Sequence, residues 1–269
     1  MQNASGNGTV LWELDARGVA SVTLNRPQVN NAYNGDLIAG VHEAMDALGA
    51  AQGVRALVLK GKGRHFQAGA DLTWISAVGQ MSPEENERAS RATGDLVRRL
   101  DTLPLPTIAL VQGGCFGGGT GIVAACDIVV ASEDAMFAIA ETRWGLMAGI
   151  ILPQLCQAIG LRATRRYALT GERFDAEEAR RIGLAHEVCA DGKLEEVGAR
   201  IVDAVLLNAP DATAATKRRA LAVAGAVVED ALFADLVREH ASTRQLAEAV
   251  EGLASFKERR KPSWYPAAA

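Results

Sequence analysis

One carboxyl group stands out in this sequence as a group that could transfer protons. Glu141 ends an apolar run, AMFAIAE (135–141), and Trp144 and Leu146 follow it closely. Because apolar surroundings disfavour the charged form, a carboxyl held there has a raised pKa, which suits acid–base work near neutral pH. Two other interpretations stay open, namely a glutamate in the first turn of a helix and an ion pair with Arg143.

Two turns that contain glycine each follow a predicted buried strand. The first turn, GRHFQAGADL (63–72), follows VRALVLKG (54–61), and the second turn, GGCFGGGTG (113–121), follows TIALVQ (107–112). Glycine lets a backbone approach a ligand closely, and N–H groups at the start of a helix carry partial positive charge. Taken singly, each segment is also typical of an ordinary strand-to-helix turn. If the two strands are neighbours, N–H groups of both turns can converge on one oxygen as an oxyanion hole.

Several other kinds of site find no support in the sequence. The second turn does not match the G-x-G-x-x-G fingerprint of dinucleotide-binding proteins. The four cysteines and four histidines form no CxxC or HExxH pair, so we expect no metal site. A formal net charge of -4 gives no footprint for nucleic acid, and no apolar run reaches the roughly 18 residues that a membrane span needs. The N-terminus has no signal-peptide pattern, so we expect a cytoplasmic protein.

The elements that must position these groups alternate between strands and helices. The chain has 269 residues, of which 49% are hydrophobic, so it can bury a large core. This pattern predicts an α/β fold, with a core region of residues 1–200 and a helical C-terminal region of residues 201–269. Asp71 and Asp127 are predicted to cap elements, and SPEE (82–85) is a capping box. The predicted strands are 10–14, 19–24, 54–61, 107–112, 126–132, 135–141 and 185–189, and the predicted helices before the C-terminal region are 34–50, 72–78, 82–103, 152–160, 163–170 and 176–182.

Together, these segments resemble the enoyl-CoA hydratase/isomerase (crotonase) superfamily. The matching blocks run in the family's order from Val10 to Trp264: VTLNRPQVNNAY, HFQAGADL, VQGGCFGGGTGIVAACDIVVAS, FAIAETRWGL, LTGERFDAEEARRIGLAHEV and GLASFKERRKPSW. Ala140 stands where the family usually has proline. The resemblance implies a spiral of ββα units with a helical C-terminal region used for trimerisation. It also implies an acyl-CoA thioester as substrate, no separate cofactor, and assembly as a trimer or a dimer of trimers.

The resemblance further implies roles for particular residues. The N–H groups of Ala70 and Gly118 would bind the thioester oxygen as it becomes an enolate, and Glu141 would be the general acid/base. The implied substrate-binding residues are Ala68, Gly69, Asp71 and Leu72 along the path of CoA, Arg64 and Arg26 at its phosphates, and Phe256 and Arg259 at a neighbouring subunit's adenine site. Gly117 in the second turn is also expected to lie against the substrate, because glycine lets the backbone approach a ligand closely. The residues that either shape the acyl pocket or belong to the core are Trp74, Trp144, Met147 and Ile150.

Gly121 departs from the family pattern. Standard hydratases carry two glutamates, and the first of them corresponds to Gly121, whereas the second corresponds to Glu141. A single carboxyl could still take a proton from water and return it to the α-carbon on the same face. The resemblance is strongest to single-glutamate relatives that act on branched, carboxylated enoyl-CoAs of the methylglutaconyl or isohexenylglutaconyl type. A hydroxycinnamoyl-CoA hydratase-lyase, an enoyl-CoA isomerase and a non-catalytic acyl-CoA-binding protein stay open as alternatives.

Overall fold

Strands and helices alternate along residues 3–266, which are the residues that the computed structural model describes. The strands are β1 (Asn3–Ala4), β2 (Val10–Leu14), β3 (Val19–Leu24), β4 (Ala56–Gly61), β5 (Thr107–Val111), β6 (Gly114–Phe116), β7 (Ile128–Ser132), β8 (Met136–Ala138), β9 (Phe174–Asp175) and β10 (Glu187–Cys189). The α-helices are α1 (Gly35–Ala50), α2 (Leu72–Val78), α3 (Pro83–Asp101), α4 (Gly118–Ala124), α5 (Leu152–Thr170), α6 (Ala176–Ile182), α7 (Leu194–Leu206), α8 (Pro210–Val223), α9 (Asp230–Thr243) and α10 (Ala247–Glu258). Short 3₁₀ helices cover Pro27–Val29 and Glu141–Trp144.

The strands form a large mixed sheet and a small second sheet. The large sheet has the order β1-β2-β3-β4-β5-β7-β10, and the small sheet has the order β6-β8-β9. Pairing is antiparallel from β1 to β3 and parallel from β3 to β10. The central strands are buried on both faces, which accounts for their continuous apolar sequences. The predicted α/β fold class is confirmed.

The strands that lead into the two turns are direct neighbours. β4 pairs with β5 in parallel, with Leu57 opposite Thr107. Parallel neighbours end at the same edge of a sheet, so both turns leave the sheet side by side. A backbone hydrogen bond then joins the turns, because the Phe66 N–H donates to the Gln112 carbonyl oxygen over 2.9 Å. The two strands are therefore neighbours, which is the condition under which N–H groups of both turns can converge on one oxygen.

Most predicted elements are present, with three differences near the second turn. The strand predicted over 135–141 is too long, because only Met136–Ala138 pairs with β6 and a 3₁₀ helix begins at Glu141. The strand β6 lies inside the glycine-rich segment and was not predicted, since its composition is typical of a turn. The helices predicted at 152–160 and 163–170 form one element, α5, with a break at Gly160, where φ is 73°.

The capping interactions place the helices as the sequence predicts. The Asp71 side chain accepts hydrogen bonds from the backbone of α2, and Ser82 and Glu85 form the capping box of α3. Asp127 has a different capping role: it accepts hydrogen bonds from the N–H and hydroxyl groups of Thr107, at 2.8 and 2.9 Å. It therefore fixes the start of β5 rather than the start of a helix.

The C-terminal helices divide into one that packs on the sheet and three that lie outside it. Helix α7 packs against the sheet through Ile201, Val202 and Leu206. Helices α8 to α10 bury only one described residue, Ser255. The division predicted at residue 200 falls inside α7; the two regions and the trimerisation role stay predictions. No helix within residues 3–266 has both the length and the apolar character needed to cross a bilayer.

Candidate active site

A cavity of about 810 Å³ opens beside the two turns. This volume is typical of sites for small molecules and cofactors. The predicted site residues in its wall are Ala68, Gly69, Ala70, Leu72, Trp74, Gly117, Gly118, Glu141, Trp144, Met147 and Ile150. The structure thus brings the predicted proton-transfer group and both predicted amide donors to one space.

The amide groups of Ala70 and Gly118 are unpaired within residues 3–266, although neighbouring backbone groups are bonded. Tyr33 donates its N–H to the Gly69 carbonyl oxygen over 2.9 Å and accepts at its own carbonyl from the Asp71 N–H over 2.8 Å. These two bonds flank Ala70 and leave its N–H free. Since amides shielded from water are normally paired, two free ones in a cavity wall are available to a ligand oxygen.

A buried glutamine fixes the backbone of the first turn. Gln67 is fully buried, and its Nε2 donates to the Gly69 carbonyl oxygen over 2.9 Å while its Oε1 accepts from the Gly69 N–H over 2.9 Å. Gly69 has a φ of 90°, a conformation that residues with a Cβ rarely adopt. The side chain of Gln67 therefore holds the residue directly before Ala70. The only sequence signal for this role was one polar residue in an otherwise small and apolar segment, and it was missed.

The second turn places Gly117 against the carboxyl group of Glu141. A Cβ atom on Gly117 would lie 3.0 Å from Oε1 of Glu141, and the φ of Gly117 is 51°. Glycine at this position therefore gives the backbone its turn and leaves room for the carboxylate. Glu141 itself begins the 3₁₀ helix Glu141–Trp144, so the interpretation of Glu141 as a glutamate in the first turn of a helix is also confirmed.

The environment of Glu141 favours its protonated form. Burial raises the pKa of this carboxyl above its ordinary value, and a backbone hydrogen bond opposes that rise only in part. The Oε2 atom is buried and has no hydrogen-bond partner within residues 3–266, and no ion pair with Arg143 forms. A buried carboxylate oxygen without a partner is costly unless a ligand or water supplies one.

The side chain of Ile151 fills the space beside Gly121, the position that corresponds to the family's first glutamate. A Cβ atom on Gly121 would lie 2.5 Å from Cβ of Ile151, closer than packed atoms come. Ile151 is buried and also belongs to the wall of the cavity. The space that a side chain on α4 would occupy here is thus already filled, and Glu141 is the one carboxylate among residues 3–266 that lines the cavity.

The remaining predicted site residues lie outside the cavity wall of this single chain. Asp71 caps α2 and pairs with Arg26 over 3.3 Å, while Arg64 is exposed. Phe256 is 83% exposed on α10, and Arg259 ends that helix. Their roles at CoA stay predictions. Among residues 3–266, no group of three or more His, Cys, Asp or Glu side chains is placed to hold a metal ion.

Among the wall residues that were not predicted to contact a substrate are three polar ones, Tyr33, Arg143 and Arg173. The guanidinium of Arg173 lies 5.3 Å from the ring centre of Phe116. Neither arginine forms an ion pair within the described part of the chain. The sequence pattern indicated Arg143 only as an ion-pair partner of Glu141, and it gave Tyr33 and Arg173 no individual role.

Comparison with known proteins identifies the family. Residues 15–266 match the family described as enoyl-CoA hydratase/isomerase. The chain is 33% identical over 250 residues to a mevalonyl-coenzyme A hydratase of Aspergillus fumigatus (91% of this chain, 90% of the relative) and 33% identical over 202 residues to a short-chain-enoyl-CoA hydratase of Clostridium acetobutylicum (74% and 76%). A crystal structure of an enoyl-CoA hydratase from Shewanella pealeana matches with a TM-score of 0.92 at 33% identity, over 95% of this chain and 96% of that one. The expected crotonase fold is thereby confirmed, and the chain belongs to the enoyl-CoA hydratase/isomerase family.

Proposed function

We propose that the protein is an acyl-CoA hydratase, or the reverse dehydratase, acting across the 2,3 double bond of an enoyl-CoA. One observation carries this proposal: the N–H groups of Ala70 and Gly118 and the Oε2 atom of Glu141, all without a partner within residues 3–266, belong to residues that line the same cavity. Amide donors and a carboxyl of raised pKa are what enolate formation followed by proton transfer requires.

In the proposed mechanism, the two amides stabilise the negative charge that develops on the thioester oxygen. Each such donor contributes about 3 to 4 kcal/mol to the transition state. The ionised Glu141 takes a proton from water as the water oxygen bonds to C3 of the enoyl group, and the electron pair of the double bond moves into the enolate. The same carboxyl then gives that proton to C2, so one water molecule is added on one face. Dehydration reverses these steps.

The closed position at Gly121 supports a mechanism with one carboxyl. Because Ile151 occupies the space beside Gly121, the attacking water depends on Glu141 alone for its carboxylate contact. The same observation favours one second candidate, an enoyl-CoA isomerase. In that reaction Glu141 would take a proton from C2 of a 3-enoyl-CoA and return it to C4 through a dienolate held by the same two amides, and no water would need to be held.

We further propose that the acyl group is branched or carboxylated. Arg143 and Arg173 are exposed residues in the wall of an otherwise largely apolar cavity, and neither has an ion-pair partner in the described chain. A carboxylate on the acyl chain would suit them, because arginine binds carboxylates with paired, charge-assisted hydrogen bonds. The mevalonyl group in the name of the Aspergillus fumigatus relative carries a methyl branch, which agrees with a cavity for branched acyl chains.

The proposed assembly is a trimer or a dimer of trimers formed through the C-terminal helices. Apolar side chains are exposed there in one chain; they are Val227, Val228, Phe233, Val237, Leu246, Val250, Leu253 and Phe256. Contiguous exposed apolar residues mark surfaces that bind another protein. In such an assembly, Phe256 and Arg259 would meet CoA bound to a neighbouring subunit, while Arg26 and Arg64 would meet its phosphates within the chain.

A turnover assay tests this function. Crotonyl-CoA, methylglutaconyl-CoA and an uncharged branched enoyl-CoA are offered, and loss of the conjugated thioester absorbance is followed. We expect turnover, with KM lowest for the carboxylated substrate and raised for that substrate alone by Arg173→Gln. Binding without hydration or isomerisation of any enoyl-CoA would favour a non-catalytic acyl-CoA-binding protein instead.

A further inference from the structure

The hydroxyl group of Tyr33 is a polar group of the cavity that the mechanism above does not use. Tyr33 lines the cavity, and its hydroxyl makes no hydrogen bond within residues 3–266. Its ring meets the ring of Trp74 edge-on, with the centroids 5.9 Å apart. A phenol in such a place can donate a hydrogen bond to a bound molecule.

Contacts with both turns fix the position of Tyr33. Its backbone pairs with the first turn, through hydrogen bonds to Gly69 and from Asp71 that flank Ala70. Its ring lies against the second turn, since a Cβ atom on Gly118 would be 2.6 Å from Cε1 and 3.4 Å from the hydroxyl oxygen. The ring and hydroxyl of Tyr33 are therefore held against Gly118, while its backbone lies against Ala70, the two residues whose amides are unpaired within residues 3–266.

The phenol keeps its proton under ordinary conditions. Burial, and then the negative charge of Glu141, raise the pKa of Tyr33 to about 12. The group is thus a hydrogen-bond donor and not a base at any pH near neutrality. Tyr33 and the proposed acid/base Glu141 both line the cavity.

We propose that the Tyr33 hydroxyl donates a hydrogen bond to the thioester oxygen of the substrate as that oxygen becomes an enolate, as a third donor beside Ala70 and Gly118. The proposal rests on the proposed enolate chemistry and names a further catalytic residue for it. Tyr33 gives up no proton, so the proton balance of the reaction is unchanged. The bond strengthens as charge develops, so its main effect falls on the transition state.

Tyr33→Phe tests the proposal, with Tyr167→Phe as its matched control. Phenylalanine keeps the ring packing on Trp74 and Gly118 and removes only the hydroxyl. Tyr167 is the suitable control because it is also buried, but its hydroxyl donates to Glu178 and it does not line the cavity. Thermal unfolding of both variants checks the fold.

Two readouts are measured, namely kcat and KM for an enoyl-CoA, and the near-ultraviolet absorbance of the enolate of bound acetoacetyl-CoA. We expect Tyr33→Phe to lower kcat about 10²- to 10³-fold with little change in KM, and to weaken the enolate absorbance. Tyr167→Phe should keep both. An unchanged kcat and enolate absorbance in Tyr33→Phe, or a change in KM alone, would overturn the proposal. If the wild-type protein neither turns over enoyl-CoA nor enolises acetoacetyl-CoA, the proposed function itself fails, and the role of Tyr33 fails with it.

Discussion

The two turns that line the cavity are built in opposite ways. The first turn is held by side chains: Gln67 bonds to both polar groups of Gly69, and Asp71 caps α2. The second turn also makes hydrogen bonds with the side chains of His65 and Thr120, but it differs from the first in its close contacts that only glycine permits, with Gly118 against the ring of Tyr33 and Gly121 against Ile151. Each turn nevertheless presents one free amide to the same cavity.

This difference shows that the direction of a backbone N–H group can be fixed either by hydrogen bonds to the neighbouring backbone or by packing against it. In the first turn, the polar side chain of Gln67 satisfies the groups of Gly69 and so fixes the residue that precedes Ala70. In the second turn, the glycines have no side chains, so neighbouring elements pack directly against the backbone and fix its position. Deleting a side chain should therefore damage the first turn, and adding one should damage the second.

Adding a methyl group to the second turn should have the largest effect on stability. In Gly121→Ala the new Cβ overlaps Ile151, so we expect the free energy of unfolding to fall by up to about 3 kcal/mol. Denaturant unfolding measures the change. Gly49→Ala is the control, because no atom lies within 4 Å of a Cβ there. The double variant Gly121→Ala with Ile151→Ala should lose less than the sum of the single changes, and strict additivity would refute the contact.

Removing the amide of Gln67 should have a smaller effect on stability but should also reduce activity. Gln67→Met keeps the volume and leaves the polar groups of Gly69 without this partner, at a cost of about 2 kcal/mol. We expect kcat to fall because the Ala70 amide is no longer held in place. Gln154→Met is the control, since Gln154 is buried and bonded to Asp101 but lies outside the cavity. Equal loss of kcat in both variants would show that Gln67 acts only through stability.

Replacing Glu141, the carboxyl beside Gly117, should have the smallest effect on stability, and its sign should depend on pH. Burial raises the folded-state pKa of Glu141 above its unfolded value, so its protonated form favours folding at low pH. That contribution is lost as the pH rises through the folded pKa. Glu141→Gln is uncharged at every pH and avoids this loss. We expect it to melt above the wild type at pH 8, with the difference shrinking towards pH 4, whereas a difference independent of pH would contradict the account.

The sequence predicted the backbone of the site better than its polar supports. Glycine spacing and apolar runs placed each turn directly after a buried strand, because those patterns follow from local geometry, while the structure supplied the pairing of the two strands. Tyr33 was missed because its role arises from contacts with both turns that form only when the chain folds. Gln67 bonds to Gly69 within the first turn, and it was missed because a single polar residue there is a weak signal. The contact between Gly121 and Ile151 could not be read from the chain either, because the residues are 30 positions apart and only folding brings them together.

We propose above all that a single carboxyl, Glu141, transfers the proton in a site where the backbone amides of Ala70 and Gly118 bind the thioester oxygen. The most direct test is the rate of enoyl-CoA hydration by Glu141→Gln, with thermal unfolding to show an intact fold and acetoacetyl-CoA binding to show an intact site. We expect kcat to fall by about 10²- to 10⁴-fold while the variant stays folded and still binds the ligand. Full hydration activity in Glu141→Gln would contradict the assignment.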